Sequence, residues 1–202
     1  SRIPSSRFRS AGEAGFWLMR RASIGPTDYN GVTIPVVGSA GRVLPCPAMA
    51  RHETLAAVDL GSNSFHLLIG RVSGGQVYPL DNLREQVQLG AGLTQDKRLD
   101  RASQSRALEA LAKFRERLRG LPRDAVRAVG TNALRVARNS REFLREARET
   151  LGFPIEVIAG REEARLTFAG VAASVALGEG PTLLLDLGGG SLEVALAGPE
   201  GL

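Results

Sequence analysis

The sequence predicts a mixed α/β fold, on three observations. Three short apolar runs open the patterned part of the chain with only small turn residues between them, which reads as antiparallel strands. Later apolar runs alternate with stretches of helical spacing, which reads as parallel strands joined by crossover helices. Of the 202 residues, 43 % are hydrophobic and 23 % charged. That balance can bury a core and argues against a disordered chain.

The first run, Thr54–Asp59, fits a short buried strand. Gly61-Ser62-Asn63-Ser64 is a turn, and Phe65–Val72 resumes the apolar pattern. Gly74-Gly75 suggests a hairpin into Gln76–Leu83, and residues 84–99 extend that strand weakly and pass through a Gly-containing loop. Leu108, Leu111, Phe114, Leu118 and Leu121 recur at spacings of three and four with charged residues between them, an amphipathic helix capped near Asp100. Ala125–Val129 is a strand, and Thr131–Ala137 and Ser140–Leu151 are helical, stopped by Gly152 and Pro154. Ile155–Ile158 is a strand and Glu162–Leu177 an Ala-rich helix. Thr182–Asp186 and Ser191–Ala197 are strands on either side of Gly188-Gly189-Gly190. This order divides the chain into a mixed-sheet unit over residues 51–178 and the opening hairpin of a second unit over residues 179–202.

Residues 1–50 differ from the rest. They hold five of the ten prolines and no sustained period, and are expected to form a poorly ordered extension. Met49 is a natural place for the functional protein to begin. The same segment carries six arginines against two acids, most of the net charge of +5. The remainder is nearly neutral, so a mixed-charge surface is expected in place of a nucleic-acid footprint. The sole cysteine, Cys46, excludes an internal disulfide framework, and His52 and His66 are too few for a zinc cluster. No apolar run approaches the ~20 residues of a membrane helix. Low cysteine usage permits a cytoplasmic setting.

Two segments resemble each other: Asp59-Leu60-Gly61-Ser62-Asn63-Ser64 and Asp186-Leu187-Gly188-Gly189-Gly190-Ser191. Each follows an apolar strand and enters another. Glycine and serine let main-chain N–H groups converge on an anion, and an aspartate at a strand end can hold a divalent cation. Neither is a Walker loop, since no Gly-Lys-Ser/Thr follows, and neither leads into the helix of a dinucleotide fingerprint. Either alone would pass for an ordinary turn with turn-forming Asp. Their pairing points to phosphate.

Ala57 to His66 resembles the first phosphate motif of the exopolyphosphatase / guanosine pentaphosphate phosphohydrolase family. Three more elements follow in the family's order. Gly130-Thr131-Asn132-Ala133-Leu134-Arg135 is similar to its Gly-Thr-x-x-x-Arg element, and Ala159-Gly160-Arg161-Glu162-Glu163-Ala164-Arg165 to its Ser/Ala-Gly-x-Glu-Glu-Ala-Arg element. Asp186 to Glu193 resembles the second phosphate motif. The resemblance covers residues 54–197 and implies a ribonuclease-H-like, actin-like ATPase fold with its cleft between two lobes. Only the first hairpin of the second lobe precedes Leu202, so an N-terminal fragment of an enzyme is expected.

The resemblance also implies roles. Glu163 matches the catalytic base and Arg135 a phosphate-contacting arginine. Ser62, Asn63, Gly189, Gly190 and Ser191 would cradle phosphate. Asp59, Asp186 and Glu193 are the candidates for Mg²⁺, whose hard character suits carboxylate oxygens. Glu162 and the arginines at 138, 141, 145 and 148 read as surface residues, and His66 receives no role. The implied reaction is Mg²⁺-dependent release of terminal phosphate from inorganic polyphosphate, guanosine pentaphosphate or both, by an enzyme that is a homodimer when complete, with neither nucleic acid nor membrane as partner. Two alternatives stand beside it: an ATP-dependent kinase or ATPase of the same superfamily, and a non-catalytic phosphate- or nucleotide-sensing module.

Overall fold

β1 (Thr54–Leu60) is the strand from which the rest is built. Its side chains alternate between two apolar faces and nearly all are buried, as expected of a strand covered on both sides. The computed structural model of the chain describes residues 52–73, 76–174 and 180–197. The extension expected over residues 1–50, the turn at Gly74-Gly75 and the last residues of the helix expected to reach Leu177 lie outside these.

β1 pairs antiparallel with β2 (Ser64–Ser73), which pairs antiparallel with β3 (Gln76–Gln86). On its other side β1 runs parallel to β4 (Val126–Gly130), and β4 runs parallel to β5 (Ile155–Val157). The sheet order is β3-β2-β1-β4-β5, and β6 (Thr182–Leu187) and β7 (Leu192–Ala197) form a separate two-stranded antiparallel sheet. The opening meander and later crossovers agree with the sequence pattern.

The strand weakly patterned after Leu83 is in fact continuous to Gln86. Its register shifts opposite Ile69 and Gly70, beside Pro79. A proline lacks the ladder N–H and is tolerated at bulges and on edge strands; β3 is both bulged and an edge. The shift breaks the strict alternation of the sequence.

Helix α1 (Arg101–Arg117) begins where Asp100 accepts the Ser103 main-chain N–H at 2.7 Å, the cap the sequence indicated. α2 (Asn132–Val136) is a single short turn, and α3 (Ser140–Leu151) stops at Gly152, whose φ of +82° is the left-handed ending that glycine adopts freely. α4 (Gly160–Ser174) starts two residues before the expected Glu162. Between α2 and α3, buried Asn139 hooks Leu99 through both of its main-chain groups, at 2.8 and 3.1 Å.

One face of β1 (Ala56, Val58, Leu60) packs with Phe65, Leu67, Phe114, Phe143 and Leu144 under α1 and α3. The other (Leu55, Ala57) packs with Leu68, Val129, Ile158 and Leu166 under α4. Strand alternation puts Asp59 on the α4 face, at the carboxyl end of β1. Because β1, β4 and β5 are parallel, their carboxyl ends lie along one edge. That is where open α/β sheets place ligands.

The β6–β7 hairpin is two-faced. Leu183, Leu185, Leu187, Leu192, Val194 and Leu196 are exposed by 54–82 %, and they oppose one another as Leu183–Leu196, Leu185–Val194 and Leu187–Leu192. Glu193, Ala195 and Ala197 on the opposite side are buried.

Candidate active site

The two Asp-led turns share a geometry that their sequences only suggested. In the first hairpin Asp59 lies opposite His66 and Leu60 opposite Phe65. In the second, Asp186 lies opposite Glu193 and Leu187 opposite Leu192. The register is the same residue for residue, so His66 is the counterpart of Glu193. Each turn also folds over its first glycine. A Cβ on Gly61 would lie 2.8 Å from the Ser64 carbonyl oxygen, and one on Gly188 would lie 3.2 Å from that of Ser191.

The turns meet along a seam. A Cβ on Gly189 would lie 2.7 Å from Asn63 Cβ, and one on Gly190 would lie 2.9 Å from Asn132 Nδ2 and 3.2 Å from Ser62 Oγ. Asn132 Nδ2 donates to the Gly190 carbonyl at 2.5 Å. Ser62 Oγ accepts the main-chain N–H of Ala133 at 3.2 Å, capping α2 from a distant part of the chain where Thr131 makes no side-chain cap. α2 is thus fastened to both turns. Substituting Gly189 with alanine is expected to force the turns apart and slow turnover of the whole protein by roughly tenfold or more, since small misplacements at a reacting centre are costly. Melting should change less than turnover, because Gly189 itself meets Asn63 in the seam and not a side chain of the main core. Phosphate release measured beside a thermal melt checks this; unaltered release would mean the close approach is dispensable.

Arg135 reaches from α2 to Glu163 on α4. Its Nη1 donates to Glu163 Oε2 at 2.6 Å and to the Ile158 carbonyl at 3.0 Å, and its Nη2 lies 3.8 Å from Glu193 Oε1. The residue expected to grip phosphate therefore sits between two carboxylates. Glu163 and Glu193 are both buried. Burial raises Glu163 above the usual carboxylate range, the Arg135 hydrogen bond pulls it back, and Glu193 and Asp186 push it up again. The neighbouring Glu162 forms a bidentate pair with Arg165 at 2.8 and 3.1 Å. Arg148 is exposed, as expected, and its guanidinium also donates to the Ile155 carbonyl.

Asp59 Oδ1 is buried without a hydrogen-bond partner among the described residues. Loss of solvent, with the nearby Glu163 and Asp186 charges, raises the Asp59 carboxyl to about 7. Asp186 Oδ2 lies 3.1 Å from Thr167 Oγ1, which also lies 3.0 Å from the Glu163 main-chain oxygen. Ser191 closes its own turn, its carbonyl accepting the Gly188 N–H at 3.0 Å.

Sequence reasoning gave no role to Asn132 or Thr167. Asn132 lay within a recognised element, but the contact it makes is with Gly190, 58 positions away. Thr167 lay one turn past Glu163 on the expected helix, the only signal it offered.

Residues 68–200 match the Ppx/GppA phosphatase family. The chain belongs to that family. Among solved structures, it is 35 % identical to an exopolyphosphatase-like protein, covering 72 % of this chain and 45 % of that one, with a TM-score of 0.66. An exopolyphosphatase from Cytophaga hutchinsonii ATCC 33406 is 32 % identical over 72 % of this chain and 47 % of its own, with a TM-score of 0.68. The Aquifex aeolicus PPX-GPPA enzyme is 29 % identical over 72 % and 48 %, with a TM-score of 0.64. The Ppx/GppA chain described here thus spans less than half the length of these three structures. Its mixed α/β architecture is the actin-like ATPase fold of the family. Among the described residues, no helix is long and apolar enough to cross a membrane.

Proposed function

We propose that the whole protein is an exopolyphosphatase, releasing terminal phosphate from inorganic polyphosphate, from guanosine pentaphosphate, or from both, with Mg²⁺ as cofactor. The observation that carries this reading is the seam itself. Two glycine turns of matching register bring Asp59 and Asp186 close enough to interact, beside a buried glutamate on a third element.

Electrostatics supports the cation. Asp59, Glu163, Asp186 and Glu193 line the seam, with Arg135 between two of them. Such a surplus of negative charge repels a polyphosphate tail unless a cation accompanies it. The orphaned Asp59 oxygen fits that role. Among the described residues no three His, Cys, Asp or Glu side chains form a ready metal cage. This suits Mg²⁺, which keeps several waters and takes one or two carboxylates together with phosphate oxygens. Asp59 and Asp186 would hold it, and Glu193, already beside Arg135, would assist from a distance. Bound there, Mg²⁺ would neutralise phosphate charge and favour departure of the leaving oxygen.

The protein's own groups supply the rest. Glu163 takes the proton of an attacking water, its basicity set by burial against the pull of Arg135. Arg135 is released in part from Glu163 as phosphate enters, and its planar guanidinium then meets phosphate oxygens. Ser62, Asn63, Gly189, Gly190 and Ser191 shape the turns on either side.

The test is phosphate release by the whole protein from long-chain polyphosphate, guanosine pentaphosphate and ATP, with and without Mg²⁺. Faster release from either of the first two than from ATP, and only with the cation, is expected. Faster ATP hydrolysis would favour the kinase or ATPase alternative. Tight phosphate binding without turnover would favour a sensing module.

A further inference from the structure

Thr167 is a buried polar residue in the middle of α4, at 6 % exposure. A helix gains nothing from threonine at such a position, because a β-branched side chain loses rotamer freedom there. Its Oγ1 lies 3.0 Å from the Glu163 main-chain oxygen and 3.1 Å from Asp186 Oδ2. Both neighbours are acceptors of hydrogen bonds, and a hydroxyl carries one proton. A mid-helix carbonyl is ordinarily satisfied by the backbone N–H four residues on, so the proton serves better on the carboxylate, where the bond is charge-assisted.

The need for such a donor is specific. Asp186 faces the like charges of Asp59 and Glu163 across the seam. Without a group holding it, repulsion would turn its carboxylate outward.

The geometry points to Thr167 as a positioning residue, whose hydroxyl holds the Asp186 carboxylate of the second turn in the seam beside Asp59 and Glu163. The inference rests on the proposed role of Asp59 and Asp186 in holding a cation. α4, which carries the base, thereby also sets the position of the second turn.

The test uses Mn²⁺ as the probe, its binding to the whole protein followed by electron paramagnetic resonance, a readout that needs no turnover. Thr167→Val keeps the shape and removes the hydroxyl; Thr167→Ala removes it without placing an apolar carbon against the carboxylate; Thr167→Ser keeps it. Both hydroxyl-free variants are expected to weaken Mn²⁺ binding by roughly tenfold or more, the scale of one charge-assisted hydrogen bond, and Thr167→Ser to restore it. In saturating Mg²⁺ the KM for polyphosphate should move less than kcat. Asp59→Asn is measured alongside. If Asp59→Asn weakens Mn²⁺ binding while the hydroxyl-free variants bind like the parent, or if serine fails to rescue, the role of Thr167 is overturned and the cation reading stands. If Asp59→Asn leaves Mn²⁺ binding unchanged, the cation reading falls and this inference with it.

Discussion

Replacing Glu163 with glutamine is expected to slow phosphate release by the whole protein by roughly 10²–10⁴-fold, the usual contribution of a positioned general base. The substitution removes one charge and almost no volume. The amide oxygen can still accept from Arg135 Nη1, now 2.6 Å from the carboxylate, so the link between α2 and α4 survives. Burial of a neutral amide also costs less than burial of a carboxylate. Substrate affinity is therefore expected to hold or improve, because the seam loses a negative charge facing an anion. Kinetics resolved into kcat and KM check this: the loss belongs in kcat. Turnover at the parent rate would remove Glu163 from the role of base.

Asp59 gives the second large effect, with opposite consequences for stability and activity. Its carboxyl rises from an ordinary 3.8 to about 7 in the fold. Between those values the folded chain holds a proton that the unfolded chain has released. Folding stability without divalent cation is therefore greatest at the acid end, falls as pH rises through that window, and levels off above about 7. The span corresponds to at most on the order of 4 kcal/mol. Glu163, raised by burial, adds to the same slope. His66, pushed down by burial and by Arg84, acts in the other direction below its ordinary 6.5. Asp59→Asn should flatten most of the slope and melt at a higher temperature than the parent at about pH 8 in chelator, while losing roughly 10²-fold or more in turnover. The proposed cation-holding role of Asp59 would thus be held at a cost in stability. Thermal melts from about pH 5 to about pH 8, in chelator and in Mg²⁺, test both parts; Mg²⁺ should stabilise the parent increasingly as pH rises. A parent profile in chelator that is flat or climbs across this range would contradict the argument.

What the sequence made legible was whatever depends on neighbours along the chain. The Asp100 cap, the Gly152 stop and the leucine spacing of α1 are local signals, and each appears in the structure. The two Asp-led turns were legible for the same reason. Their common register was not, because it is a relation between strands. Pro79 disturbed the pattern of β3 just where the edge strand bulges. The burial of Glu193 was not legible either, because alternation marks two faces without saying which is buried. Ser62 capping α2, Asn132 on Gly190 and Thr167 on Asp186 all join residues remote in sequence, and no period or spacing encodes them. Recognition of the four ordered motifs supplied the candidate residues; only the fold shows that Arg135 rests on Glu163.

The hairpin that carries Asp186 has its charged groups on one side and six exposed leucine and valine side chains on the other, and strand side chains alternate strictly. A slip of β6 by a single residue would therefore swap the aspartate for Leu185 or Leu187 and present grease to the phosphate. Exposed as they are, those six side chains set no register by themselves; a surface that covered them would make the wrong setting of the strand expensive and so align the charged side behind them.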